Sequence, residues 1–235
     1  MDIRNKTSLM AGIVLAAGLS ACGGGDNNNG STQATFQVEV TNITSAQVLT
    51  PLGVVLHRSG YTAWDAGQSV TLGLENLAES GNPAPFVDEA AFNTNVDMIE
   101  MGSAPFGAGT TQTVNITTTY SSDLELTVAS MLANTNDAFT GVTNWKVGDL
   151  NVGQSKTVEP HVYDAGTEDN VETAATMPGP KAGGEGYNPA RPSVTSVVTI
   201  HPGAVTQGDG LTTSALTEED RWLGPAAKIV VTRTQ

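Results

Sequence analysis

The sequence predicts an all-β protein, an antiparallel sandwich with long loops. Three observations carry that expectation. About eight short apolar or alternating segments are separated by clusters of Gly, Pro, Asn and Asp. No long run places apolar residues at i, i+3, i+4 and i+7, the signature of an amphipathic helix. The composition, with 26 Gly among 235 residues and only 14% charged side chains, is that of turns and strands. A chain of this length forms one large domain or two small ones and buries a sizeable core.

Residues 1–21 read as a targeting segment. Arg4 and Lys6 precede an apolar run over 9–19 that is too short to span a bilayer and ends in small residues. Leu19-Ser20-Ala21-Cys22 resembles the bacterial lipobox, whose cysteine is lipidated and becomes the mature N-terminus. The bland alternative is an ordinary secretory signal with an incidental cysteine. Residues 22–33 then comprise the lipidated Cys22 and a flexible linker, since GGGDNNNGSTQ contains no apolar residue. Its Gly-rich scaling gives a root-mean-square reach of about 18 Å. Gly23, rather than Asp, follows Cys22, which in the enteric sorting pattern favours the outer membrane. The expected localisation is the cell envelope, with the chain lipid-anchored on the periplasmic or surface face.

From residue 34 to 235 the chain reads as one domain. Phe36, Val38 and Val40 alternate with polar residues, the period of a half-buried strand. Further strands are expected over 53–57, 69–74, 111–120, 124–130, 155–163, 193–201 and 227–234, with short helical turns near 75–79 and 87–92. Residues 177–192 form a Pro/Gly-rich loop inside the domain. Trp145 and Trp222 are expected to cover the sandwich ends, because aromatic rings supply large apolar area. Trp64-Asp65-Ala66-Gly67 echoes Tyr163-Asp164-Ala165-Gly166, without the wider similarity that a repeat architecture requires.

The formal net charge of −14 argues against nucleic acid as a partner, because phosphate neutralisation needs a basic footprint. One cysteine excludes an intrachain disulfide and any Cys-rich zinc site. Nucleophile-elbow, zincin, phosphate-loop and dinucleotide-binding signatures are all missing from the sequence. His57, His161 and His201 are widely spaced and read as polar residues on strand edges or with one backbone partner. The chain is therefore expected not to be an enzyme.

Residues 158–172 (VEPHVYDAGTEDNVE) are the informative stretch. Glu159, Asp164, Glu168, Asp169 and Glu172 crowd together, with no base between Lys156 and Lys181. Clustered carboxylates raise one another's pKa unless a cation holds them. Calcium takes six to eight oxygen ligands and suits such a place, although the spacing is not that of an EF-hand. A solvated acidic loop without an ion is the competing reading. Asn134-Thr135-Asn136-Asp137 forms a second polar cluster after an apolar strand, so a site drawn from two loops is expected, as at the rim of C2-type sandwiches.

The pair Asn136-Asp137-Ala138-Phe139-Thr140-Gly141 and Tyr163-Asp164-Ala165-Gly166-Thr167-Glu168, with Thr50-Pro51-Leu52-Gly53-Val54-Val55-Leu56-His57, Leu77-Ala78-Glu79-Ser80-Gly81 and the strand at 227–233, resembles the spondin domain, in that family's order. The resemblance implies a C2-like antiparallel β-sandwich that binds Ca2+ through Asp137, Asp164 and Glu168. Animal members commonly have Asp at the last of these positions, so Glu168 alters the ligand geometry more than the charge. Asp65 is read as a turn residue and Glu79 as part of a conformational motif. Asp169 and Glu172 are read as lying behind the ligands or facing water. The implied function is a lipid-anchored, calcium-binding recognition or adhesion module for an unidentified protein or glycan. The alternatives are a structural envelope lipoprotein that binds another envelope protein, and a calcium-dependent hydrolase.

Overall fold

The computed structural model describes residues 32–195 and 197–235. The targeting segment, Cys22 and nearly all of the linker lie outside the described residues. Two antiparallel sheets form the sandwich. The strands are β1 (Gln33–Asn42), β2 (Gly53–His57), β3 (Val96–Met101), β4 (Thr111–Thr119), β5 (Glu125–Met131), β6 (Ala138–Lys146), β7 (Ser155–Val158), β8 (Val162–Asp164), β9 (Thr199–Ile200) and β10 (Ala227–Arg233). One sheet has the order β4-β1-β10-β7 and the other β3-β2-β5-β6-β8-β9. The first and last strands pair from Phe36↔Arg233 to Asn42↔Ala227, which closes the domain.

Alternation in β1 carries through the first sheet. Phe36, Val38 and Val40 point inward with Val114, Ile116, Ile229 and Val231, against Val54, Leu56, Leu126 and Val128 of the second sheet. β2 and β5 do not alternate, and every β2 residue is buried. A third layer covers their other face. Helices α1 (Leu72–Ser80) and α2 (Ala84–Ala91) pack Leu74, Leu77, Phe86 and Val87 onto Val55, Ala129, Met131 and Phe139. Gly53 permits this approach, because a Cβ there would lie 2.6 Å from the Phe86 ring.

The strand expected over 69–74 is instead the start of α1. Thr71 caps it by accepting from the Leu74 N–H at 3.3 Å, and Gly81 closes it in the left-handed conformation. Leu74, Leu77 and Ala78 have helical spacing, and burying that stripe outweighs the local alternation of Val70, Leu72 and Leu74. The segment expected as one strand over 155–163 breaks after Val158. β7 joins the first sheet and β8 the second, with Pro160, which cannot donate to a ladder, in the crossing. The strand expected over 193–201 contracts to Thr199–Ile200. Two strands, β3 and β6, were not expected. Trp222 is buried against the inter-sheet core and Trp145 packs partly buried on it, whereas Trp64 joins Phe139 and Tyr163 on the helical side.

His57 is not at a sheet edge. It ends β2 between β3 and β5 and is fully buried. Its Nδ1 lies 3.0 Å from the Arg58 carbonyl, which only accepts, so Nδ1 carries the proton and Nε2 accepts from Thr127 Oγ1 at 2.9 Å. Burial lowers its pKa, against the Arg58 carbonyl and Glu125. The unfolded chain therefore binds this proton more readily, and the contribution of neutral His57 is lost as pH falls below about 6.5. The melting temperature of the wild type should fall more steeply between pH 7.5 and 5.5 than that of His57→Gln. The difference in slope is bounded by about 1.4 kcal/mol per pH unit, and parallel melting curves across this range would contradict the assignment.

Candidate functional site

β6 and β8 bring the two acidic segments together. Ala138 pairs with Asp164 in the ladder, so Asp137 stands one residue from that pairing at the strand end. Asp137 is fully buried and Asp164 nearly so. Asp137 Oδ2 accepts from Thr167 N at 2.8 Å, Thr167 Oγ1 at 3.0 Å and Glu168 N at 3.0 Å. The loop after β8 is thus wrapped round one carboxylate oxygen. Gly166 makes the turn with φ 72°, and its N–H donates to Asp164 Oδ1 at 2.6 Å. Asn170 Nδ2 donates to Asp164 Oδ2 at 2.7 Å, and Asn136 Nδ2 to the Asp169 carbonyl at 2.5 Å.

The same residues leave oxygens over. Asp137 Oδ1, Asn136 Oδ1 and Asn170 Oδ1 are buried without a hydrogen-bond partner. A buried carboxylate oxygen without a donor is costly, and burial with the charge of Asp164 pushes the Asp137 pKa up to about 6, against the donors from Thr167 and Glu168. A set of carboxylate and amide oxygens without nitrogen or sulfur is the chemistry of a hard cation, and calcium fits it.

Glu168 lies on the same loop, but its carboxylate faces elsewhere. Oε1 receives Arg191 Nη2 at 2.6 Å, and the same nitrogen donates to Glu79 Oε2 at 2.6 Å. Arg191 Nη1 completes the cluster at 2.7 Å from Glu185 Oε2. Burial pushes the Glu168 pKa up to about 8 against the pull of Arg191, with Glu79 and Asp137 adding to the rise. Asp137 and Asp164 are therefore neighbours, while Glu168 contributes its main-chain N–H to Asp137 and its side chain to Arg191. Among the described residues, no three His, Cys, Asp or Glu side chains gather as a metal centre by themselves. Amide oxygens from Asn136 and Asn170 would have to complete the set.

Other positions fall as follows. Asp65 is exposed in a turn. Glu79 is buried and tied to Arg191. Asp169 is exposed, whereas Glu172 is buried at φ 40° with Oε2 unpartnered. Sequence reasoning missed Arg191 and Asn170, and placed Asn136 in the second polar cluster without giving it a role at the site. Arg191 did leave a signal, being the one Lys or Arg between Lys181 and Arg221 in an otherwise acidic stretch.

An antiparallel sandwich with an acidic two-loop rim defines a class of binding domains, and the family follows from the sequence match. The spondin N-terminal family model, Spondin_N, matches residues 44–182, and the chain belongs to that family. The match runs from before β2 through the Asp137 and Asp164 loops and stops short of Arg191 and β10. No curated protein matches the chain. At the coarse level, this is an extracellular recognition or adhesion-type module.

Arg191 holds two nearly buried carboxylates from separate segments. Arg191→Met leaves Glu79 and Glu168 facing each other without their cation, and breaking such a pair costs about 3 kcal/mol. For a domain of this size that lowers the melting temperature by roughly 6–12 °C. Adding Glu79→Gln should recover part of the loss, and thermal melting of the two variants checks the order.

Proposed function

We propose that the chain is a lipid-anchored recognition module of the cell envelope, stabilised by calcium at the Asp137–Asp164 rim. The observation that carries the cation is the buried Asp137 Oδ1, which lacks a partner beside a second carboxylate. Asp137 and Asp164 would hold the ion through carboxylate oxygens, with Asn136 and Asn170 as amide donors. Glu168 would act as the third acidic ligand only on leaving Arg191; otherwise it fixes the loop through its N–H. A bound divalent cation would supply the positive charge that this buried pair lacks.

The anchor rests on Cys22 behind its signal-like segment, and outer-membrane placement rests on Gly23. The reading is one of binding, not of catalysis. His57 is committed to Arg58 and Thr127, and His161 is exposed, with its ring 6.4 Å from Tyr163.

An ion that binds only the folded chain stabilises it by about 2.7 kcal/mol at a hundredfold excess over Kd, equivalent to roughly 5–10 °C here. Calcium should raise the melting temperature of the chelator-treated wild type by that amount. Asp137→Asn and Asp164→Asn should abolish most of the shift, and Asp65→Asn should retain it. Magnesium should substitute poorly, because it demands a tighter octahedron and sheds water reluctantly. An unchanged melting temperature after verified metal removal and calcium addition would sink the calcium reading.

The anchor has its own test. Cys22→Ser should move the protein from the detergent phase to the aqueous phase, or leave the signal uncleaved. Each buried CH₂ of an acyl chain contributes about 0.8 kcal/mol to membrane binding. Unchanged detergent partitioning of the variant would contradict lipidation at Cys22.

A further inference from the structure

Glu168 is bound at both ends. Its main-chain N–H donates to Asp137 Oδ2 at 3.0 Å, and its nearly buried carboxylate accepts from Arg191 Nη2 at 2.6 Å. The main chain beside it is pinned without help from that carboxylate. The Gly166 N–H donates to Asp164 Oδ1 at 2.6 Å, and the Gly166 carbonyl accepts from the Thr195 N–H at 2.9 Å. The Glu168 carboxylate can therefore exchange partners by rotation of its own side chain, with the loop left in place. It lies within electrostatic reach of Asp137, whose charge is one of those that raise its pKa.

Arg191 stays well partnered after such an exchange. The same Nη2 donates to Glu79 Oε2 at 2.6 Å, and Nη1 donates to Glu185 Oε2 at 2.7 Å, so two carboxylates remain for one guanidinium once Glu168 has left. At the rim the balance is reversed. Among the described residues, Asp137 and Asp164 accept only from neutral donors, and Asp137 Oδ1, Asn136 Oδ1 and Asn170 Oδ1 stay unpartnered. Three unpartnered oxygens fall short of the six to eight that calcium takes. A further carboxylate would add both oxygen and charge. A divalent ion offers Glu168 twice the charge of the guanidinium, whereas a monovalent ion offers no more than Arg191 already supplies.

We propose that Arg191 is an internal competitor for the cation: it holds the Glu168 carboxylate away from the Asp137–Asp164 rim in the ion-free chain and gives it up to calcium when the ion binds. The proposal rests on the calcium reading above and assigns the regulation of that site. Calcium must break an existing ion pair before it gains its third carboxylate, so the apparent affinity is set below the intrinsic one. The exchange also has a structural consequence. Arg191 ties the segment around 185–191 to the rim loop through Glu168 and to α1 through Glu79, and calcium cuts the first tie while leaving the second.

The test is calcium binding by equilibrium dialysis to the chelator-stripped full-length chain, in a cycle of wild type, Arg191→Met, Glu168→Gln and the double variant. Arg191→Met should tighten calcium binding about tenfold, the worth of one hydrogen bond between charged groups. In the Glu168→Gln background the same change should alter Kd by no more than about twofold, the margin for uncoupled positions. Arg191→Met binding that is weaker than or equal to the wild type overturns the proposal. Equal tightening in both backgrounds overturns it too, because that is the long-range effect of removing a positive charge. If Arg191→Met melts below the working temperature, Arg191→Met with Glu79→Gln takes its place and should bind about tenfold tighter than Glu79→Gln alone. In the wild type, the 15N side-chain signal of Arg191, assigned by its loss in Arg191→Lys, should move on calcium addition. A signal that stays in place while calcium binds overturns the proposal whatever the variants do. Calcium bound by neither the wild type nor Arg191→Met overturns the cation reading and this one with it, whereas calcium bound with the wrong pattern overturns this one alone.

Discussion

The carboxylate of Asp137 is the constraint on which the functional end of the molecule depends. Between β8 and β10 the described residues form no strand longer than the two residues of β9, so backbone ladders do little to hold them. Asp137 Oδ2 takes three donors from Thr167 and Glu168 and fixes where that long excursion begins. Further along, Arg191 ties the excursion to α1 through Glu79, and Lys181 reaches Asp220 at 2.7 Å. Thr206 with Asp209 and Thr217 with Asp220 close two short 3₁₀ turns by reciprocal capping. A segment with little regular structure is thus held in part by charge-assisted hydrogen bonds, which are stronger than neutral ones.

That solution leaves negative charge inside the protein. Glu79 and Glu168 share one guanidinium, whereas Asp137 and Asp164 have only neutral donors. Neutral N–H groups lower a carboxylate's pKa, but they do not repay the removal of charge from water next to a like charge. The two acidic clusters are therefore unequal: the one around Arg191 carries its own counter-charge, and the one at the strand ends does not. The asymmetry follows from chain position, since the only Lys or Arg in the 182–220 region is spent on the first cluster.

Much of the fold was legible where one face of a strand meets solvent. The periodicity of β1, β4 and β10 survives in the structure because only the inter-sheet core covers them. β2 and β5 were legible as continuous apolar runs, but their reason, a helical layer on the second face, was not. Helices of nine and eight residues leave a short stripe, legible only as helical turns near 75–79 and 87–92 and not as a layer. β6 was hidden because Gly141 and Asn144 read as turn residues, although the strand is fully buried in its first half. At the site, the two acidic motifs were legible as motifs and their adjacency follows from the β6–β8 pairing. The contacts of Arg191, Asn136 and Asn170 were not, since each acts across separations of six to more than a hundred residues that no local pattern records.

β8 joins these features. Asp164 at its end pairs with Ala138 on one side and Thr199 on the other. Val162, two residues earlier and on the same face, enters the inter-sheet core, and its carbonyl accepts from the His201 N–H at 2.9 Å. The acidic rim and the His201–Trp222 ring pair therefore share a three-residue strand whose partner β9 has only two residues. Such a short ladder supplies little cooperativity of its own. Its position is set by what grips its ends: the core at Val162 and the hydrogen bonds to Asp164 and Asp137. The rim's electrostatics and the placement of His201 are thus two consequences of one short piece of sheet.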